Sequence, residues 1–396
     1  VILFKHSSIF LLGGILSLIV AMGIGRFAYT PILPLMQSDL SFSNAVGGYL
    51  ATSNYAGYLL GAFLVGVIPV KQHRTFILRL SLVISILTTA SMGLFQSYFI
   101  WYGLRFISGI SSAIVFVMAS GIVLDKLAIR NKLNWSGIFY GGVGLGIFLS
   151  SLLIPILNRL YSWEGVWLGL SGVSMLLVLI VWISMKDEPL SFEKTSKQES
   201  ALCVPPLKWI PWLIVAYGLE GLGYIVTGTF IVSIAKEIPS FHGDATVVWM
   251  VVGLAAIPSC IIWSELAKKI GFVKSLVLAM TLQAFGIALP ALWVSQIGVV
   301  LSALLFGATF MGITTLATTL ARQMSPFNSS RIIGILTSIY AGGQMIGPSI
   351  AGIISTATQN YDAVLLGAAS VVLVGAGLLL TGIRFEKSPE FLKKQI

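Results

Sequence analysis

The chain has 396 residues, 57% of them hydrophobic and 10% charged, where a water-soluble domain carries about 25% charge. That balance excludes a soluble globular enzyme. The formal net charge of +10 is scattered over short connections, so it reads as membrane topology and excludes a nucleic-acid surface.

Twelve apolar stretches follow in chain order, each near the roughly 20 residues that cross a hydrocarbon core. They are 9–36, 44–66, 75–95, 98–119, 135–158 and 164–185, then 209–235, 244–263, 272–290, 293–317, 331–355 and 361–383. The runs are continuously apolar rather than alternating, which predicts an all-α membrane bundle and not a β-barrel. The first run lacks a small-residue cleavage pattern and is expected to be retained as a helix. Between the sixth and seventh lies the longest polar stretch, "MKDEPLSFEKTSKQESALCVPPLK". It predicts two six-helix halves, 1–185 and 209–396, joined by a cytoplasmic tether at 186–208. With both termini in the cytoplasm, the outer loops keep only Arg159 and Lys236 among basic residues. Arg26 and Arg105 lie within spans, and the other basic residues face inward, as the positive-inside rule requires.

The first span contains "AMGIGRFAYTPILP", residues 21–34, and the seventh contains "AYGLEGLGYIVTGT", residues 216–229. At an offset of 195, Ala21 meets Ala216, Gly23 meets Gly218 and Tyr29 meets Tyr224, while Arg26 falls on Gly221 and Glu220 on Gly25. The loops "GVIPVKQHRT" and "SELAKKIGFV" match at an offset of 198. Two matches at nearly one offset point to duplicated halves, a transporter plan with its site between the halves near mid-membrane. Helix rise puts Arg26 about 18 Å and Glu220 about 16 Å into their spans, too deep to snorkel. Charges at that depth usually face a bundle interior or a water-filled path. An ion pair between them across the halves is expected. Two roles stay open: substrate binding and coupling, or locking of helices, with Arg26 bonding carbonyls freed near Pro31 and Pro34.

Glu220 is the one acid placed deep in a span and leads as a proton carrier. Arg105, about 10 Å deep, can snorkel outward or serve coupling. Tyr29, Tyr58, Tyr140, Tyr217, Tyr224 and Tyr340 can offer hydroxyls to a cavity, and Asn54 and Gln344 can offer amides. Gly23, Gly25, Gly142, Gly146, Gly343 and Gly347 allow close helix packing, and Pro31 and Pro348 loosen backbone hydrogen bonds. His6, His73 and His242 are isolated, Cys203 and Cys260 have no metal spacing, and no phosphate-binding glycine loop is present. No cofactor, metal or ATP chemistry is therefore expected.

These features resemble the major facilitator superfamily, most closely the YbfB/YjiJ-like permeases, through "GIGRFAYTPILPLM", residues 23–36. The superfamily's loop signature is matched in part by Gly66, Lys71 and Arg74, and again by Lys269 and Gly271. Val70 and Lys268 stand at its aspartate positions. Arg105, Gly109 and Ala113 match a fourth-helix pattern linked in the superfamily to proton coupling. The end of the fifth span lacks the Gly-Pro pair of the antiporter signature. The resemblance implies a monomeric, non-enzymatic secondary transporter of the bacterial cell membrane. Its partners would be a small solute, protons as the coupling ion, and the lipid bilayer. A fixed Arg26 suits an organic anion or zwitterion. Efflux of amphipathic or drug-like compounds, or a non-transporting sensor or scaffold, are the alternatives.

Overall fold

Lipid offers a backbone no hydrogen bonds, so a spanning segment must satisfy its own. The computed structural model describes residues 2–67, 73–130, 132, 135–185, 205–325 and 329–386. Lys71, Cys203 and residues 186–204 of the expected tether lie outside the described residues. The elements are α1 Ile2–Leu18, a π-helical turn Ile19–Ile24, α2 Tyr29–Leu40, α3 Asn44–Val67, α4 Arg74–Leu94, α5 Tyr98–Ile129 and α6 Ser136–Ser184. They continue as α7 Ile210–Glu237, α8 Thr246–Ile270, α9 Phe272–Leu292, α10 Gln296–Met324, α11 Ser329–Thr358 and α12 Asp362–Leu380.

Ten segments among the described residues are long and apolar enough to cross a membrane. The first of them, Ile9–Leu40, joins α1, the π turn and α2. The uninterrupted helix expected at 9–36 is thus broken in its middle. Conversely, the expected spans 135–158 and 164–185 run together as α6, 49 residues with non-helical backbone at Tyr161 and Ser162 (φ 59° at Ser162). A straight helix of that length would measure about 74 Å, more than twice a hydrocarbon core of about 30 Å. α11, 30 residues long, stands in addition to the ten. α5, α8 and α10 run on to Ile129, Ile270 and Met324, beyond the expected ends at 119, 263 and 317. Hydropathy marks where lipid ends, and these helices continue past it carrying Asp125, Lys268 and Arg322.

The outward faces are apolar, with Phe99 86% and Ile183 74% exposed. Inward, small residues let backbones meet. Gly23 faces Gly146 backbone to backbone, and a β-carbon on Gly142 would stand 3.0 Å from the Ile15 carbonyl. β-Carbons on Gly343 and Gly347 would stand 2.5 Å from the Gly218 carbonyl and 2.7 Å from that of Leu222. Between the parts of the chain before and after 186–204, α3 packs on α11, α6 on α8 and α2 on α7. At the α3–α11 seam Gly48 meets the Pro348 carbonyl, and Thr52 Oγ1 donates to the Met345 carbonyl at 2.8 Å.

Candidate functional site

The site begins as a defect in the first span. Pro31 has no N–H, so an α-helical bond to Phe27 O cannot form. The preceding turn widens instead, with Gly25 N bonding Val20 O at 2.8 Å and Phe27 N bonding Met22 O at 2.9 Å. Such i→i−5 bulges often mark functional positions. The released carbonyls draw donors from elsewhere, Phe27 O keeping only a long local bond from Thr30 N at 3.3 Å. Arg105 Nη1 and Ser108 Oγ donate to Gly25 O at 3.3 and 3.1 Å. Trp249 Nε1 donates to Phe27 O at 3.1 Å. Arg105 thus stays inside, 1% exposed and 4.5 Å above the Tyr29 ring, and does not snorkel outward. The donor to a freed carbonyl is Arg105, where Arg26 was the expected one.

Arg26 sits between these two carbonyls and is 3% exposed. Its Nη2 donates to Gln344 Oε1 of α11 at 2.8 Å. Its guanidinium carbon lies 4.1 Å from the Tyr58 ring centre, 4.9 Å from Tyr55 and 5.2 Å from Phe27, close enough for cation–π attraction. Gln344 Nε2 in turn donates to the Tyr224 hydroxyl. The Tyr224 ring runs parallel to Phe306, Phe310 and Tyr340 at 5.9, 6.3 and 5.6 Å, and Tyr340 stacks on Tyr217 at 4.2 Å.

The expected Arg26–Glu220 ion pair is not made in this structure. Glu220 is fully buried, and neither carboxyl oxygen has a hydrogen bond of good geometry. Its side-chain neighbour is Gln283 of α9, whose amide atoms are likewise unpartnered, and Tyr217, Tyr224 and Tyr340 lie within its electrostatic reach. The repeat explains the divergence. Glu220 aligns with Gly25, one residue before Arg26, and one residue turns a helical side chain by about 100°. Arg26 therefore faces α3 and α11, while Glu220 faces Gln283.

Other expected residues join this centre unevenly. Tyr29 hydroxyl donates to Gly47 O at 2.9 Å and Asn54 Nδ2 to Arg105 O at 2.9 Å, so both brace the helix break. A β-carbon on Gly25 would stand 2.7 Å from Ser85 Oγ. Tyr140 lies apart, against Phe116 and Phe139 at 5.8 and 4.9 Å. Tyr55, Trp249, Gln283, Phe306 and Phe310 were missed. Gln283, a lone amide in "LVLAMTLQAFGIAL", carried a readable signal, whereas aromatic residues in a span usually only pack.

Away from the centre, Pro31 and Pro34 line a cavity of about 390 Å³ with Lys236, Phe241, Asp244 and Thr246, where Lys236 Nζ donates to Pro34 O at 3.2 Å. Nearby, Thr30 Oγ1 donates to Gly228 O at 2.5 Å. At the loop motifs, Gly66 is exposed, and Arg74 pairs with Asp125 at 2.9 Å, an acid supplied from α5. Lys269 is exposed, and Gly271 takes φ 103°, a conformation open to glycine. Beside it Glu386 accepts from the N–H groups of Val273 at 2.7 Å and Lys274 at 3.2 Å, capping α9. Burial pushes the Glu386 carboxyl above its ordinary range, although these bonds and the Lys274 charge pull it down.

Comparison with known proteins gives the chain's family and its fold. The family described as uncharacterised MFS-type transporter YbfB matches residues 18–381. An uncharacterised MFS-type transporter, YceJ of Bacillus subtilis (strain 168), is 24% identical, over 88% of this chain and 90% of its own. The class H tetracycline resistance protein of Pasteurella multocida is 23% identical, over 91% of this chain and 92% of its own. A crystal structure of the nucleoside transporter NupG superposes with a TM-score of 0.70 at 15% identity, covering 94% of this chain and 98% of that one.

Proposed function

The chain belongs to the YbfB family of major facilitator transporters, and from that premise we propose a proton-coupled secondary transporter of a small organic anion or zwitterion. It has twelve passes in two six-helix halves, residues 1–185 and 209–396, and works as a monomer in a bacterial inner membrane with both termini cytoplasmic. Alternating access opens the centre to each side in turn. The observation that carries this reading is the hydrogen bond between Arg26, at a broken helix, and Gln344 on α11. A buried cation held across the α3–α11 seam by one neutral amide can exchange that partner for a substrate. Arg26 binds the solute, and Glu220, beside Gln283, carries the proton.

The test is uptake into proteoliposomes with and without an imposed proton gradient, over a panel of metabolites. Flux that follows the gradient in wild type and disappears in Arg26→Met supports the reading. A second reading is efflux of amphipathic compounds. The tetracycline-resistance relative and the aromatic walls around Arg26 support it, and drug susceptibility of expressing cells tests it. A chain that moves nothing in either assay would be a sensor or scaffold.

A further inference from the structure

The surroundings of Arg26 narrow the substrate class, on the reading that Arg26 is the substrate's cation. We propose that the solute is a small monocarboxylate with an aromatic or apolar body, and that Gln344 is a placeholder which its carboxylate displaces.

Consider first the anionic group. A guanidinium presents five N–H donors in a planar fork that fits a carboxylate two-to-two. Here one donor, on Nη2, goes to Gln344 Oε1 at 2.8 Å, and Nε has no partner. The amide oxygen therefore occupies one of the two positions that a carboxylate would fill. A neutral acceptor is the weaker partner, because charge-assisted bonds are roughly twice as strong as neutral ones. An arriving carboxylate wins the contest and frees Gln344, which also releases its bond to the Tyr224 hydroxyl.

Consider next the number of charges. Arg105 is the other buried guanidinium close to this centre; its Nη1 holds Gly25 O and its plane lies over the Tyr29 ring, while its Nε, like that of Arg26, has no partner. A dianion's second charge would meet a cation only by drawing Arg105 off the Gly25 carbonyl, which would leave that carbonyl to Ser108 alone, and it would otherwise carry a heavy desolvation cost. A zwitterion would need an acid for its ammonium. Tyr224, Tyr58, Tyr55 and Tyr340 surround Arg26; the acid, Glu220, reaches Tyr224 and Tyr340 but has Gln283 as its side-chain partner and makes no ion pair with Arg26. What remains around the fork is aromatic: Phe27, Tyr55 and Tyr58 against the guanidinium, then the parallel rings of Tyr224, Phe306 and Phe310. A flat apolar body is the partner those faces accept.

The experiment titrates the thermal-unfolding midpoint of the purified full chain at constant ionic strength, since a ligand of the folded state raises it. The probes are benzoate, phenylalanine, phthalate and benzyl alcohol, with one, balanced, two and no charges. Benzoate is expected to raise the midpoint saturably, and the other three to leave it unchanged over the same concentrations. Gln344→Ala removes the competitor and should lower the half-saturating benzoate concentration about threefold or more, as expected when a competing state is emptied. Gln344→Glu gives Arg26 a permanent anion and should abolish the benzoate shift in a protein that still melts cooperatively. Phenylalanine or phthalate matching benzoate, no benzoate shift at all, or weaker benzoate binding in Gln344→Ala would overturn the proposal while leaving Arg26 as a site. Arg26→Met is expected to lose the benzoate shift, with Arg26→Gln as the neutral substitute if the methionine variant does not fold. An unchanged shift in that variant would instead remove Arg26 from the site and sink the broader reading.

Discussion

Arg26 and Glu220 are alike in depth and opposite in surroundings. Arg26 has an amide and three rings against its guanidinium, whereas Glu220 has the Gln283 amide and the tyrosines Tyr217, Tyr224 and Tyr340 nearby and no hydrogen bond. Glu220→Gln replaces a proton-carrying group with a neutral isostere beside another amide. The variant should fold as well as wild type, yet its flux in proteoliposomes should no longer respond to an imposed pH gradient. Retained gradient-driven accumulation would rule Glu220 out as the carrier. The double exchange Arg26→Glu with Glu220→Arg should rescue neither folding nor transport, because each new charge meets the other's neighbours rather than its former partner. Recovery of transport in that variant would show that the two approach in another state. Depth was readable from sequence by counting residues along a span. Azimuth was not, since a one-residue difference in register swings a side chain by about 100°, and only the neighbours fix that register.

Elements show the same division. The existence of nearly every helix was written in its apolar run, and the close contacts of Gly23 with Gly146 and of Gly343 with α7 follow from small residues at helix faces. Gly23→Val would force two backbones apart and should lower stability by about 1–3 kcal/mol, the usual range for overpacking, seen as a lower unfolding midpoint in detergent. The π turn was not legible, although Pro31 and Pro34 were its warning. A proline states which bond is missing and not which distant donor replaces it. Trp249→Phe removes one such donor and should cost about 0.5–1.5 kcal/mol, since Phe27 O keeps its long bond from Thr30 N. At the other end of the chain, burial holds Glu386 above its usual range of about 4.5. The folded protein then keeps a proton that the unfolded chain has released. Its contribution to stability is present below about 4.5 and declines as pH rises through the raised value. Glu386→Gln should therefore flatten the pH dependence of the melting midpoint across that window, and an unchanged slope would show that another group sets it.

For the molecule as a whole, topology is the most exposed expectation. Cysteines introduced at 190–202 should react with membrane-impermeant reagents only after the cells are opened, whereas positions near Asp39, His242 and Gln359 should react from outside. Labelling of 190–202 in intact cells would invert the arrangement. Replacing 190–202 by a neutral flexible stretch of equal length should leave transport nearly intact, because reach rather than composition governs a tether. The broken first span has one more consequence, and it concerns biosynthesis. Phe27 is translated 222 residues ahead of Trp249, the residue whose indole serves its carbonyl. A ribosome adding about 5–20 residues per second needs ten seconds or more to cover that gap. Until then the nascent first hairpin holds a polar backbone atom without its final donor, and its seat in the bilayer is provisional. The early helices are thus built to wait for the late ones, and a chain cut off before residue 249 leaves the Phe27 carbonyl with only its long bond from Thr30 N.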